Sequence, residues 1–327
     1  YQLALFPLNN GATNVYYVLI LSYIATFGNN VLGIATVFAS VMVTGMRVFD
    51  AITDPIIGAL MDRTNGKFGK NRPFMVIGNA ILFVTSFIMF HVTHLLPMAA
   101  RFPFFIVISA IYYLGYTAQC VVTKSAQTCL TNDPKQRPLF SIFDGIYNTV
   151  LFAGLQVVAT KMATAYGGFT TDPALFHDLW MIAAIGSAVF CALAVFAIAP
   201  KDRPEFFGTG KVQKVGFKDY WDAIKNNRAI QMLVVAASTD KLANTTKTST
   251  VTMVLYGVVT LGGAAGYATV NGTLAVLSIP QMILTMAAIA TIAPKLGQKA
   301  AMVIGSWGGI IGNLLLALLW IFGDPSS

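Results

Sequence analysis

Apolar residues gather into long runs along the whole chain, and short polar breaks separate them. Several runs approach the roughly 20 residues that a helix needs to cross a bilayer. Strands of a membrane barrel would instead alternate polar and apolar over about 10 residues, which these runs do not. The pattern predicts an all-α membrane protein with nine spans, near 12–29, 32–60, 73–95, 103–130, 139–165, 177–199, 229–258, 265–293 and 300–322. Breaks between the first six are short, as expected for antiparallel neighbours. The stretch 200–228, PKDRPEFFGTGKVQKVGFKDYWDAIKNNR, is long and polar. It divides the chain into a six-helix bundle over 1–200, a loop over 201–228 and three further helices over 229–327.

Composition sharpens this picture. Of 327 residues, 56% are hydrophobic and 10% charged, against roughly a quarter charged in a soluble protein. The net charge of +8 could suggest nucleic acid, but its placement argues otherwise. The breaks after spans two, four, six and eight carry 15 of the 21 basic residues, while the opposite breaks carry only Arg101. By the positive-inside rule the amino end and the long loop are cytoplasmic in a cell-membrane protein. A basic, glycine-containing turn follows span two (GALMDRTNGKFGKNRP), and a weaker echo follows span eight (IAPKLGQKAAMV). Such repetition is a transporter design, so the nine spans are expected to be a fragment of twelve, and a monomer.

Cys120, Cys129 and Cys191 fall in or beside apolar runs without CxxC spacing, and read as small packing residues. His91 and His94 form HVTH at the outer end of the third span; with no nearby third ligand they read as interfacial, not metal-binding. No Ser-His-Asp set, metal-peptidase motif or phosphate loop is visible. An enzyme or an ATP-driven pump is therefore not expected, nor a cofactor.

The segment FDAITDPIIGALMDRTNGKFGKNRPFM, residues 49–75, carries the chemistry. Arg47, Asp50 and Asp54 are three and four residues apart and share one helix face. Ionisable groups inside a membrane helix are costly and suggest a pathway or site. Two carboxylates one turn apart repel when both are ionised, and a small cation or a proton relieves that repulsion. Thr53 adds a hydroxyl oxygen. The competing reading is an Arg47–Asp50 pair with Asp54 bonded to a neighbouring helix, holding the bundle together. Beyond the span, Gly58, Asp62, Arg63, Gly66, Lys67, Gly69, Lys70 and Arg72 form a tight basic turn. It serves orientation at least, and Asp62 with Arg63 is expected to act as a latch that breaks on motion.

The stretch RVFDAITDPIIGALMDRTNGKFGKNRPFM resembles the signature loop of the major facilitator superfamily. More narrowly, its D-A-x-x-D-P-x-x-G run followed by G-K-x-R-P is similar to the glycoside–pentoside–hexuronide:cation symporters, the melibiose permease group. NNGATNVYY, YTAQ, TNDPKQR and the break after span six extend the likeness more faintly. The resemblance implies two six-helix bundles that move a sugar together with sodium, lithium or a proton. It implies a cation site at Asp50, Thr53, Asp54 and Thr117, with no other metal. Where that group holds sugar with acids on the first and fourth spans, a Trp and an Arg, this chain has Asn14, Cys120, Lys124 and Gly145. Only Asn14 keeps a useful hydrogen-bonding group. The group also includes a lysolipid carrier, so an amphiphile carrier is an alternative to a sugar symporter, and a transport-inactive membrane sensor is another.

Further polar residues complete the expected substrate set of Asn14, Tyr16, Cys120, Lys124, Asp240 and Asn244. Tyr16, beside Asn14, could stack on a sugar ring. Lys124 could pair with Asp54 or Asp144, or meet an anionic substrate. Asp144, near Asn148, could face the cavity, although pairing with Arg137 of the preceding loop is preferred. In STDKLANTTKTST, Asp240 and Asn244 lie one turn apart and are expected to line the cavity.

Overall fold

The computed structural model describes residues 1–203 apart from 65, 132–135 and 167–171. It also describes 205, 222, 225–245 and separate short stretches between 276 and 318. Two compact units emerge, Tyr1–Gln213 and Lys214–Ser327.

The first unit contains α1 (Gln2–Leu5), α2 (Leu8–Asn30), α3 (Thr36–Arg63), α4 (Arg72–His91), α5 (Met98–Ser125), α6 (Gln127–Leu130), α7 (Arg137–Ala165) and α8 (Ala174–Ile198). The long members α2, α3, α4, α5, α7 and α8 are the first six expected spans. Prolines mark several starts: Pro73 and Pro138 sit in the first turns of α4 and α7, and Pro97 and Pro173 immediately precede α5 and α8. A proline costs nothing there, because the first N–H groups of a helix have no internal partner. Gly33, with φ of 72°, makes the turn from α2 to α3. By length and composition Arg72–Leu95, Met98–Leu130, Leu139–Ala165 and Ala174–Ile198 can each cross a membrane.

Two boundaries differ from expectation. The first span begins at Leu8, not near residue 12, because Asn9 and Asn10 find partners on other helices. Asn9 donates to Thr123 Oγ1 at 2.8 Å. The fourth begins at Met98, five residues early, and accommodates Pro103 within the helix. Arg101 there donates to the carbonyls of Leu96 and Leu32 at 2.9 and 3.3 Å, tying the start of α5 to the end of α2.

Helix α2 lies at the centre, packed chiefly against α8 and α7, while α4 packs against α5. The α4–α5 approach is close because both helices present glycine. A Cβ on Gly78 would lie 3.1 Å from the Gly115 carbonyl oxygen, and one on Gly115 would lie 2.8 Å from Ile81 Cγ2. Phe27, Phe90 and Phe176 join α2, α4 and α8, with ring centroids of the first two 5.0 Å apart. Several buried polar groups are paired across helices, as a medium without water favours. Gln119 donates to the Met75 carbonyl at 2.8 Å and accepts from Thr13 at 3.1 Å. Ser187 accepts from Asn79 at 2.7 Å and donates to the Ala12 carbonyl at 2.8 Å.

At the far ends of α4 and α8, the His91 and His177 rings stack with centroids 4.1 Å apart, and His94 lies 5.6 Å from His177. The sequence paired only His91 with His94. Among the described residues no group of three His, Cys, Asp or Glu side chains is placed to hold a metal. The three cysteines are free.

The second unit contains α9 (Arg228–Thr245), the start of the seventh span, and an apolar helix at Val303–Leu315. The side chains of Asp240 and Asn244 lie outside the described residues, as does most of the eighth span.

Candidate functional site

Helix α3 carries Asp50, Thr53 and Asp54 on one side, against Thr117 of α5. The Thr117 hydroxyl donates to Asp50 Oδ1 at 2.6 Å. Thr53 Oγ1 lies 3.4 Å from Thr117 Oγ1 and donates to the Asp50 carbonyl at 3.1 Å. Both threonines are buried, Asp50 is half-buried and Asp54 is exposed. Asp50 lies near enough to Asp54 for their charges to interact, and Thr117 is within hydrogen-bonding reach of Asp54 as well. Pro55 follows directly, inside the helix. Having no N–H, it leaves the carbonyl of residue 51 without its usual helical partner. The result is a cluster of carboxylate, hydroxyl and carbonyl oxygens, the donor set preferred by hard cations. Among the described residues neither carboxylate forms an ion pair; the Arg47 side chain lies outside them.

A second arrangement forms at the turn between α3 and α4. Lys70 is paired with Asp62, so the basic partner of Asp62 comes from across the turn and not from Arg63, which is exposed in the last turn of α3. Lys67 is exposed as well. Gly66 and Gly69 pair through their backbones, and Gly69 adopts φ of 85°. Gly58 is no turn residue; it lies inside α3 with open space where a side chain would stand.

The residue that organises this turn is Asp202, just beyond α8. It is wholly buried and accepts from the backbone N–H groups of Lys70, Asn71 and Arg72 at 3.1, 3.1 and 2.9 Å. The Asn71 amide donates to it at 2.9 Å, and Arg72 Nε approaches at 3.4 Å. A carboxylate at a helix N-terminus meets both the unpaired N–H groups and the positive end of the dipole. Any Cβ on Gly69 would overlap Asp202, so glycine is required there on two counts.

A third set lies where α2 meets α7. Asn10 donates to Asp144 Oδ1 at 2.8 Å and Asn14 to Asn148 Oδ1 at 2.6 Å. Asp144 is thus held by Asn10; the Arg137 side chain, its expected partner, lies outside the described residues.

A family model described as MFS/sugar transport protein matches residues 6–326. The chain belongs to that family. It is 24% identical over 320 residues to the isoprimeverose transporter of Lactiplantibacillus pentosus, covering 95% of this chain and 63% of that protein. It is 25% identical over 216 residues to the inner membrane symporter YicJ of Escherichia coli (strain K12), 66% of this chain and 46% of that one. Against the glucuronide carrier protein homolog of the same organism it is 26% identical over 154 residues, 46% of this chain and 33% of that one. The chain therefore spans less than two thirds of each of these relatives.

In this member of the family, Asp50, Thr53, Asp54 and Thr117 stand together. The expected substrate residues of the first unit differ in exposure. Asn14 and Cys120 are half-buried, and Lys124 is exposed near Asp144 and Cys120. Tyr16 does not line an open face: it is wholly buried, close to Ser187 and Ser86. Its neighbour Tyr17 is half-exposed and stacks on Tyr116, with ring centroids 5.5 Å apart. Sequence reasoning also missed Asp202; its only signal was an acid within a run of basic residues.

Proposed function

We propose that the protein is a cation-coupled symporter of a sugar or glycoside, working by alternating access in the cell membrane with its amino end in the cytoplasm. The coupling ion, sodium or a proton, binds among Asp50, Thr53, Asp54 and Thr117. One observation carries the reading: two membrane carboxylates stand side by side with hydroxyl oxygens, and no described cation neutralises them. A carboxylate at the bilayer centre costs about 2.5–3.5 kcal/mol, and a neighbour of like charge adds to that. An arriving cation removes the repulsion and lets substrate bind. By reciprocity the substrate tightens the cation by the same factor, typically worth about 1–3 kcal/mol.

Membership of the sugar transport family and likeness to a transporter of isoprimeverose support the substrate class. The test is uptake into vesicles carrying the protein expressed from its complete gene. Radiolabelled sugars and lysolipids are offered with sodium and pH varied. Sugar accumulation that rises with sodium or an inward proton gradient is expected. Accumulation of lysolipid alone, or cation-protected labelling of Cys120 with no flux of any solute, contradicts the proposal.

A further inference from the structure

Where the end of α4 meets the start of α8, three histidines come together from two segments. His91 stacks on both Phe87 and His177, with ring centroids 4.5 and 4.1 Å away and interplanar angles of 16° and 12°. Trp180 crosses it at 4.8 Å, and His94 lies beside His177. His177 Nε2 is 3.0 Å from the Phe90 carbonyl oxygen. A carbonyl only accepts, so Nε2 carries a hydrogen and donates it. That bond serves the end of α4, where the helix runs out of its own donors. All three histidines are half-buried. The Nδ1 atoms of His91 and His94 are buried without a hydrogen-bond partner; the Phe87 carbonyl is near His91 but makes no well-formed bond with it.

We propose that His91, His94 and His177 form an acid-sensitive clasp, which holds the end of α4 against the start of α8 while neutral and releases it when protonated. With the amino end in the cytoplasm, this end of the bundle faces outside, so the clasp answers to external acid. Histidine is the side chain whose charge ordinarily changes between about pH 5 and 8.

The surroundings hold nothing to balance added charge. The described groups within electrostatic reach of His91 and His94 are one another, His177 and Arg101 of α5, all basic. The two acids at the start of α8 are engaged: Asp178 accepts from Tyr166 at the end of α7, and Asp172 from the N–H of Ala174. The charged residue in this half of α7, Lys161, is exposed and basic. Residues 24–46, which include the end of α2 and the start of α3, contain no ionisable side chain, and neither does GGFTT at 167–171. One proton can rest on His91 against the face of Phe87. A second on His177 sets like charges 4.1 Å apart. A protonated ring also donates from both nitrogens, and the packed cluster gives Nδ1 of His94 no acceptor.

Parting the helices removes both penalties. The separated rings take up protons below about pH 6.5, as free imidazoles do, whereas the stack resists more than one. Proton uptake therefore favours the parted state, and the clasp weakens as pH falls from about 6.5 towards 5. The effect reaches the central helix. Phe90 and Phe176, the neighbours of His91 and His177, grip Phe27 of α2 with ring centroids 5.0 Å away in each pair.

The test is hydrogen–deuterium exchange of the full gene product in lipid nanodiscs at about pH 7.5 and about pH 5, corrected for the intrinsic effect of pH on exchange. It needs no transported solute and so stands apart from the symporter reading. Exchange over residues 88–97 and 173–180 should rise about tenfold or more in acid, as one linked proton allows, while the turn between α3 and α4 stays protected. His177→Gln keeps a donor for the Phe90 carbonyl but takes no proton, and should remove most of the rise. His94→Gln should reduce it, and provides the comparison if His177→Gln does not fold. Equal protection at the two pH values overturns the proposal. So does a rise that spreads equally to the α3–α4 turn, or one undiminished in the variants.

Discussion

Replacing Asp202 by alanine should open the turn between α3 and α4. Three backbone N–H groups, the Asn71 amide and the Arg72 guanidinium all converge on this one carboxylate. Their separate hydrogen bonds do not sum, since water reaches some donors once the loop relaxes. The bound that applies is the cost of leaving buried donors without their acceptor, about 1–3 kcal/mol. Cys129 reports on the event, because its sulfur is buried 3.8 Å from Asn71 Nδ2. In a background with Cys120 and Cys191 replaced, maleimide labelling of Cys129 measures how often the turn opens. If opening and closing outpace labelling, the upper end of that range corresponds to a rate increase of about 100-fold. Asp202→Asn keeps the shape but sets an amide donor against N–H donors, and should fall between the two. Labelling within about twofold of wild type in Asp202→Ala would refute the reasoning, since a loss below about 0.5 kcal/mol means that these donors already have other partners.

Gly69→Ala should produce the same opening, costing about 1–2 kcal/mol from backbone strain alone, before the overlap with Asp202 is counted; Cys129 labelling reads it. Gly115→Ala forces Ile81 aside and should cost about 1–3 kcal/mol through overpacking, measured as a lower unfolding temperature in detergent. Thr117→Val keeps the volume but removes the hydroxyl that donates to Asp50. It should weaken cation binding about tenfold with little change in unfolding temperature, measured by titrating sodium against uptake rate.

The six spans of the first unit were legible because a bilayer sets helix length and excludes charge, and both leave marks in a single sequence. The pair of carboxylates proposed to hold the coupling ion was legible for a related reason: carboxylates among apolar residues stand out, and Asp50 and Asp54 are only one turn apart. Rotational phase was not. Helix α2 is apolar nearly all round, so periodicity could not tell that Tyr16 is buried and Tyr17 half-open. Long-range pairs were equally hidden. Asp202 is 130 residues from Arg72 and reads as one acid in a solvated basic loop. The Asn10 partner of Asp144 is 134 residues away. Asn9 and Asn10 looked like the polar end before a span, until their partners on α5 and α7 drew them into it.

The most direct measurement is sodium and proton dependence of glycoside uptake by Asp54→Asn in the full gene product, with membrane insertion verified in parallel. One carboxylate fewer removes the repulsion that an ion relieves, so stimulation by either cation should vanish while the inserted amount stays normal. Uptake that still climbs with sodium or with an inward proton gradient in that variant would contradict the placement of the coupling ion on α3.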